Sequence, residues 1–342
     1  MEKLKIAQVG VGHYGSVRRK LIRATGAFEM LSCYDFNEKA MKATFEEDGA
    51  KPASSYEDLL DTPGIEAMII STGASYHAEQ IIAALDKGLH VYVEKPLCSS
   101  PAELEGIVAA QKRSGLVVGV GHFDHYNDPV ADYTKQAIDS GDLGDLVGFE
   151  VTTAHSGGQL IKEGDWRGDP DKNPGGMLFQ CGVHKIHELM HFLGPIVKVQ
   201  CSMNYDVNKK TKTADSAHCI LQCASGICGT LNAYHITAFR HRFDILGTKA
   251  NLYRENRYFD EGITLLKQTV RPGGGKEEQE RIDIDGLYAG KQLSPHSMQS
   301  FYDAIRNGGE VYPSLSNGAT AVAVVFAAEE SAKTGREVKI KL

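Results

Sequence analysis

Three glycines at the end of an apolar strand, Gly10, Gly12 and Gly15, are spaced for one piece of chemistry: holding a phosphate on backbone N–H groups. They follow the run Leu4–Val9 in the pattern Gly10-Val11-Gly12-His13-Tyr14-Gly15, and a helical stretch comes next. Gly10 permits a sharp turn out of the strand. Gly12 removes the side chain that would block a phosphate, and Gly15 lets the new helix press close to the sheet. In a chain with 36 glycines the pattern alone is weak, and its context is what raises it. Asp35 ends the next apolar run, Phe28–Tyr34, and a carboxylate there accepts both ribose hydroxyls of a dinucleotide. Phe36 follows it, and no Arg stands there to receive a 2′-phosphate, so the expected cofactor is NAD and not NADP. Arg18 and Arg19 lie inside the helix and read as a solvated face.

Such a cradle needs a parallel sheet behind it. Strands expected over 67–71, 90–93 and 116–120 alternate with helices over 37–47, 76–87 and 101–113, and a small segment at 56–60 lies between. Pro101 at a first helical position and Gly88 and Gly115 past helix ends are the matching punctuation. Residues 1–123 are therefore expected to form an α/β, doubly wound, NAD-binding Rossmann domain. Ligands of such sheets bind at the carboxyl ends of the strands. That rule selects Gly10 to Gly15, Asp35, Ser71, Thr72, Gly73, Glu94, Lys95, Gly121 and His122 as cofactor-side residues.

Beyond residue 123 the rhythm changes. A helix over 130–140 gives way to alternating runs over 146–154, 196–206, 216–223, 227–236, 242–246 and 250–253, which predict an open-faced, mostly antiparallel sheet. Residues 271–276 read as a surface loop, and helices over 295–306 and 318–334 and a last strand over 338–342 close the chain. Residues 124–342 are expected to form one α+β domain that binds substrate and a further copy of the chain.

At 342 residues, 42% hydrophobic and 24% charged, the composition is that of a globular protein of about two domains. The net charge of −7 gives no reason to expect nucleic acid or an anionic membrane as partner. No apolar run approaches the roughly 20 residues of a membrane span, and the first residues show no signal-peptide pattern, so a cytoplasmic location is expected. The seven cysteines carry no paired spacing and read as free thiols, with Cys219, Cys223 and Cys228 as small buried hydrophobes and not metal ligands.

The combination resembles the Gfo/Idh/MocA family, that of glucose–fructose oxidoreductase and inositol dehydrogenase, over nearly the whole chain. The resemblance rests on the glycine loop, on Ser71-Thr72-Gly73 with His77, and on the run from Gly88 to Glu94-Lys95-Pro96. It continues through Gly175-Gly176-Met177-Leu178, Gly182-Val183-His184 and the ending from Ser331 to Val338. It implies an NAD(P)-dependent oxidoreductase acting on a sugar, cyclitol or related polyol, paired as a homodimer or homotetramer through the C-terminal sheet. It also implies a cis Lys95-Pro96 bond, and a cofactor-side place for His77.

Oxidising a secondary alcohol needs a base for the hydroxyl proton, a positive group beside the developing alkoxide, and a hydride acceptor. Lys95 leaves a central strand at the ligand-binding edge and is the positive group. With an ordinary pKa near 10.4 it suits electrostatic support better than proton abstraction. Glu94 positions it. His184, whose imidazole exchanges protons near pH 6.5, is the expected base and acid, and it matches the catalytic histidine of the family. Two positions depart from the family pattern: Gln180 and His187 stand where relatives often carry Asp. An amide can hold a substrate hydroxyl but cannot relay a proton.

Gln180, His184, His187, Glu188 and His191 share one helical face, but about 16 Å of helix separates the ends of that row, so no single metal site is expected. Asp124 and Tyr126 are candidates for binding substrate hydroxyls. Trp166 and Arg167 read either as a lid over substrate or as a loop anchor. The expected activity is hydride transfer between NAD and a secondary alcohol or ketone of a sugar, sugar derivative or cyclitol. Two alternatives are a redox-neutral lyase or glycosidase that retains its NAD, and a catalytically silent NAD-binding regulator.

Overall fold

A parallel sheet must be covered on both faces, because its crossover helices lie there. The computed structural model describes residues 2–123, 125, 128–257, 262–273, 275–291 and 296–341. Its first sheet has six strands: β1 (Leu4–Val9), β2 (Phe28–Tyr34), β3 (Lys51–Pro52), β4 (Ala67–Ile70), β5 (His90–Glu94) and β6 (Val118–Gly121). All pair in parallel, in the order β3-β2-β1-β4-β5-β6. The direction of winding reverses beside β1, and a crevice opens at such a switch point. Every residue of β4 is buried, as a strand covered on both faces requires.

The crossovers are α1 (His13–Thr25), α2 (Glu38–Asp48), α3 (Tyr56–Leu60), α4 (Ala74–Asp86) and α5 (Pro101–Ser114). Local chemistry sets their starts. Asn37 caps α2 by accepting from Lys39 N, and Ser100 with Glu103 forms a capping box ahead of α5.

The chain divides into two compact units, Met1–Asp124 with Leu293–Ala319, and His125–Gln292 with Thr320–Leu342. The expected division puts all of 124–342 in the second domain; Leu293–Ala319 instead falls with the first unit. Helix α9 (His296–Asn307) packs with the first unit, where Met298, Phe301 and Tyr302 join Leu4, Ile6, Phe28 and Tyr92 in one cluster. The rings of Phe301 and Tyr92 meet edge-on at 5.5 Å, and Arg306 binds Glu66 at 2.6 Å. An amphipathic pattern shows that a helix has a face to bury, but not which sheet will cover it.

The second unit holds α6 (Pro129–Asp139), α7 (Val183–Leu193), the short α8 (Ile284–Tyr288) and a sheet of nine strands. These are β7 (Leu146–Ala154), β8 (Ile196–Asn204), β9 (Ser216–Cys223), β10 (Cys228–Tyr234), β11 (Arg240–Gly247), β12 (Ala250–Asn256), β13 (Thr264–Thr269), β14 (Gln279–Arg281) and β15 (Val338–Lys339). Their order is β14-β13-β12-β11-β7-β10-β9-β8-β15, antiparallel except where β7 meets β10. β13 and β14 were not expected from the sequence. Helix α10 (Leu315–Thr334) starts in the first unit and continues into the second.

Along β9 the burial alternates. Ala217, Cys219, Leu221 and Cys223 turn inward, whereas Ile220, on the other face, is 55% exposed. All seven cysteines are free thiols. Cys228 departs from its expected burial: it is exposed at the start of β10, the first residue after a surface turn and its following position.

Beneath this sheet lies a buried trio of charges. Glu188 of α7 stands 2.9 Å from Lys185 Nζ and also pairs with Arg254 of β12, whose guanidinium lies 4.8 Å over the Phe243 ring. Burial alone would push the Glu188 carboxyl up, but Arg254 and Lys185 outweigh it and hold the group well below the usual carboxylate range. Its folded-state pKa is therefore lower than the unfolded one. The stabilisation is fully present above the unfolded value, near 4.3, and is lost as pH falls below it. Glu188→Gln should lower unfolding free energy by about 3–5 kcal/mol at pH 7, since it leaves two buried cations without their partner. Denaturant titration should show the gap to the native protein closing below about pH 4, and a gap independent of pH would contradict this account.

Candidate active site

The glycine loop is built by close approach. Gly10 has a φ of +76°, and a Cβ there would lie 2.6 Å from the Ser71 carbonyl carbon, on the loop leaving β4. A Cβ on Gly15 would lie 2.0 Å from the Gly10 carbonyl oxygen and 3.0 Å from the Gln8 amide of β1. Gly12 is different: only Asp35 Oδ2, at 3.5 Å, would touch a Cβ added there, so space stays open before the N-terminus of α1. No side chain caps that helix, and His13 and Tyr14 on its first turn are exposed. Its first-turn N–H groups and positive dipole end suit a pyrophosphate.

Asp35 reaches back to this loop. Oδ2 accepts from Val11 N at 2.8 Å and Gly12 N at 3.0 Å, while Oδ1 accepts from Asn37 N at 2.8 Å. The carboxylate is thus fixed by the backbone beside the phosphate cradle. Phe36, next in the chain, is 83% exposed. Gln8 was not singled out from the sequence. Its buried amide donates to the carbonyls of Gly10 and Gly15 at 3.2 and 3.3 Å, so it holds both ends of the loop. A lone amide among the buried residues of a mostly apolar strand is its signal.

On the neighbouring strand ends, Ser71, Thr72 and Gly73 lead into α4, and Thr72 Oγ1 donates to Gln80 Oε1 at 2.6 Å. The His77 ring is wholly buried, with both nitrogens against backbone carbonyls. The ring itself has no exposed surface. β5 delivers Glu94 and then Lys95, which is half-buried, and the Lys95-Pro96 bond is cis as expected.

Arg18 and Arg19 are not a solvated face. Both are buried, Arg18 against Glu94 of β5 and Arg19 against Asp48 and Glu47 of α2. Arg18 Nε lies 2.7 Å from Glu94 Oε1, Arg18 Nη1 donates to Tyr92 OH at 3.2 Å, and the guanidinium sits 4.7 Å over the Tyr92 ring. The acids that neutralise these arginines are remote in sequence, so helical spacing could not reveal them. A Cβ on Gly121 would come within 2.6 Å of Glu94 Oε2 and 3.0 Å of Arg18 Nη2. Gly121 therefore makes room for the ion pair, and His122 beside it is buried.

In the second unit, His184 lies on the first turn of α7 and is largely buried. Gln180 is not on that helix. It belongs to a single π-helical turn, Leu178–Gly182, whose wider repeat breaks the register assumed for a shared face. His187 and His191 pack on His125, with ring centroids 5.2 and 5.4 Å away, and Glu188 belongs to the charged trio. Burial pushes His125 down to about 4 and lowers His191 too, so these two rings are neutral at pH 7. Among the described residues, no three His, Cys, Asp or Glu side chains group so as to hold a metal ion.

Arg167 stacks on Trp166 at 4.8 Å, and its carbonyl accepts from Asn173 Nδ2 at 2.7 Å and Thr213 Oγ1 at 3.2 Å. These two bonds hold the backbone of that loop in place. Asp124 and Tyr126 lie outside the described residues.

Comparison with known proteins agrees with this division of labour. Residues 4–122 match the family model described as "Oxidoreductase family, NAD-binding Rossmann fold", and residues 132–253 match "GFO/IDH/MocA C-terminal domain". The 1,5-anhydro-D-fructose reductase of Ensifer adhaerens is 26% identical over 330 residues, covering 94% of this chain and 93% of its own. The scyllo-inositol 2-dehydrogenase (NAD(+)) of Bacillus subtilis (strain 168) is 24% identical over 289 residues, covering 83% and 80%. The crystal structure of an NAD binding oxidoreductase from Klebsiella pneumoniae shares the fold with a TM-score of 0.85, at 21% identity over 99% of this chain and 100% of that one. Two models of one family, matched in order and joined by relatives similar over most of their length, show that the chain belongs to the Gfo/Idh/MocA family of NAD(P)-dependent oxidoreductases.

Proposed function

We propose that the protein transfers a hydride between NAD and a secondary alcohol or ketone of a sugar, sugar derivative or cyclitol. The observation that carries this reading is the edge of the first sheet, where the open phosphate cradle after β1 and the Lys95 turn after β5 stand at the same ends of parallel strands. When bound, NAD supplies the acceptor of the hydride, at C4 of its nicotinamide. The α1 N-terminus and the loop from Gly10 to Gly15 hold the pyrophosphate, with Ser71, Thr72, Gly73 and Glu94 lining the same edge.

Relatives in the family use either NAD or NADP. Asp35 favours NAD here. Its three backbone N–H bonds hold it as an acceptor for ribose hydroxyls, and a 2′-phosphate would bring like charge against it.

On the substrate, His184 takes the hydroxyl proton and Lys95 stabilises the developing alkoxide. Gln180 holds a further hydroxyl without relaying a proton. The names of the anhydrofructose and inositol relatives support a polyol substrate. The outer face of the nine-stranded sheet, which carries exposed Ile220 and half-buried Tyr253 and Leu266, is assigned to a second copy of the chain. No described helix is long and apolar enough to cross a membrane.

A panel of inositols, anhydrosugars and keto-sugars, followed by NADH absorbance, tests the activity. Lys95→Ala should abolish turnover while NADH affinity, read by its fluorescence, stays within about threefold, because the ammonium acts on the transition state. Normal turnover in that variant would remove Lys95 from the mechanism. Asp35→Ala should cut the preference for NAD over NADP by about 10- to 100-fold, the worth of one or two hydrogen bonds to a charged group. An unchanged ratio of kcat/KM values would mean that Asp35 does not read the ribose.

A further inference from the structure

We infer that His77 is a positioning residue for Lys95, tying the turn that carries the lysine to the loop that packs on the glycine cradle. Its imidazole has 0% exposure. Nδ1 stands 2.9 Å from the carbonyl oxygen of Pro96, the residue after Lys95, and Nε2 stands 3.0 Å from the carbonyl oxygen of Thr72. Thr72 follows Ser71, whose carbonyl group occupies the space that a Gly10 side chain would need. Three strand ends are thereby joined in a row: Gly10 after β1, Ser71 and Thr72 after β4, and Lys95 with Pro96 after β5.

The chemistry of the contact is one-sided. Both partners are carbonyls, which only accept, so the ring must supply the proton. Burial pushes His77 toward the neutral form, whereas the two carbonyls favour the protonated ring, in which both nitrogens donate. An apolar side chain in its place would fill the volume but leave both loops without that donor, with a buried carbonyl lacking its hydrogen bond. The side chain has no surface for a ligand, so its effect on the reaction passes through the backbone of residues 95 and 96. Catalytic groups are sensitive to such support, since displacement by about 1 Å can cost about 100-fold in rate.

This inference rests on the role given above to Lys95. Its test compares His77→Leu with His77→Gln, whose amide restores a donor. In His77→Leu, kcat should fall by about 10- to 100-fold while KM for NAD moves less than about threefold, and His77→Gln should recover at least about half of that loss on a logarithmic scale. Hydrogen exchange, which needs no substrate, should show residues 71–77 and 94–98 loosening together in His77→Leu and less so in His77→Gln. If His77→Leu does not fold, raised exchange in both segments of His77→Gln relative to the native protein carries the test. The inference is overturned if kcat in His77→Leu stays within about twofold of native, if Gln gives no recovery, or if exchange in 94–98 is unchanged. Retained turnover in Lys95→Ala would instead sink the role of Lys95, and the exchange result would still report on the tie itself.

Discussion

A guanidinium and a carboxylate shut away from water hold the first unit in its working shape. Arg18 and Glu94 are both buried, and neither charge tolerates that environment without the other. One sits on α1, which begins at the phosphate cradle, and the other ends β5, one residue before Lys95. Their bond at 2.7 Å ties α1, whose N-terminus follows the glycine loop, to the strand end that carries Lys95. The Tyr92 ring beneath the guanidinium and the missing side chain at Gly121 serve the same pair. Gly10, Gly15 and Gln8 then set the loop itself, by contacts that leave no room for another atom.

The second unit uses a related device for a different end. Glu188, Lys185 and Arg254 fasten α7 to the sheet it lies on, and α7 is the helix that presents His184 on its first turn. The row of polar groups on α7 is therefore divided by neighbourhood. Glu188 belongs to the ion trio, and His187 and His191 pack against His125.

Local signals made the parallel domain legible. Strand, glycine loop, helix and Asp35 follow one another within the first 35 residues, so their order can be read along the chain. What was illegible depended on partners distant in the chain. Arg18 and Arg19 read as exposed because Glu94 and Asp48 lie on other elements. Helix α9 was assigned to the wrong unit because an apolar face does not name its cover. Gln180 was placed on α7 because a π-helical turn leaves no periodic trace in five residues. The two carbonyls against the His77 ring belong to loops 5 and 19 residues away, a pairing that its motif does not reveal. The short strands β13 and β14 add to an existing sheet edge and need little pattern of their own.

The central claim is that hydrogen moves as hydride from a carbinol carbon to the cofactor and stays there. The most direct measurement uses a polyol substrate carrying deuterium on its carbinol carbons and determines by mass spectrometry and NMR where the label goes. The account predicts one deuterium at C4 of the nicotinamide for each ketone formed, with net accumulation of reduced cofactor. Product formed without net reduced cofactor, or ketone formed with the label lost to water, would contradict it.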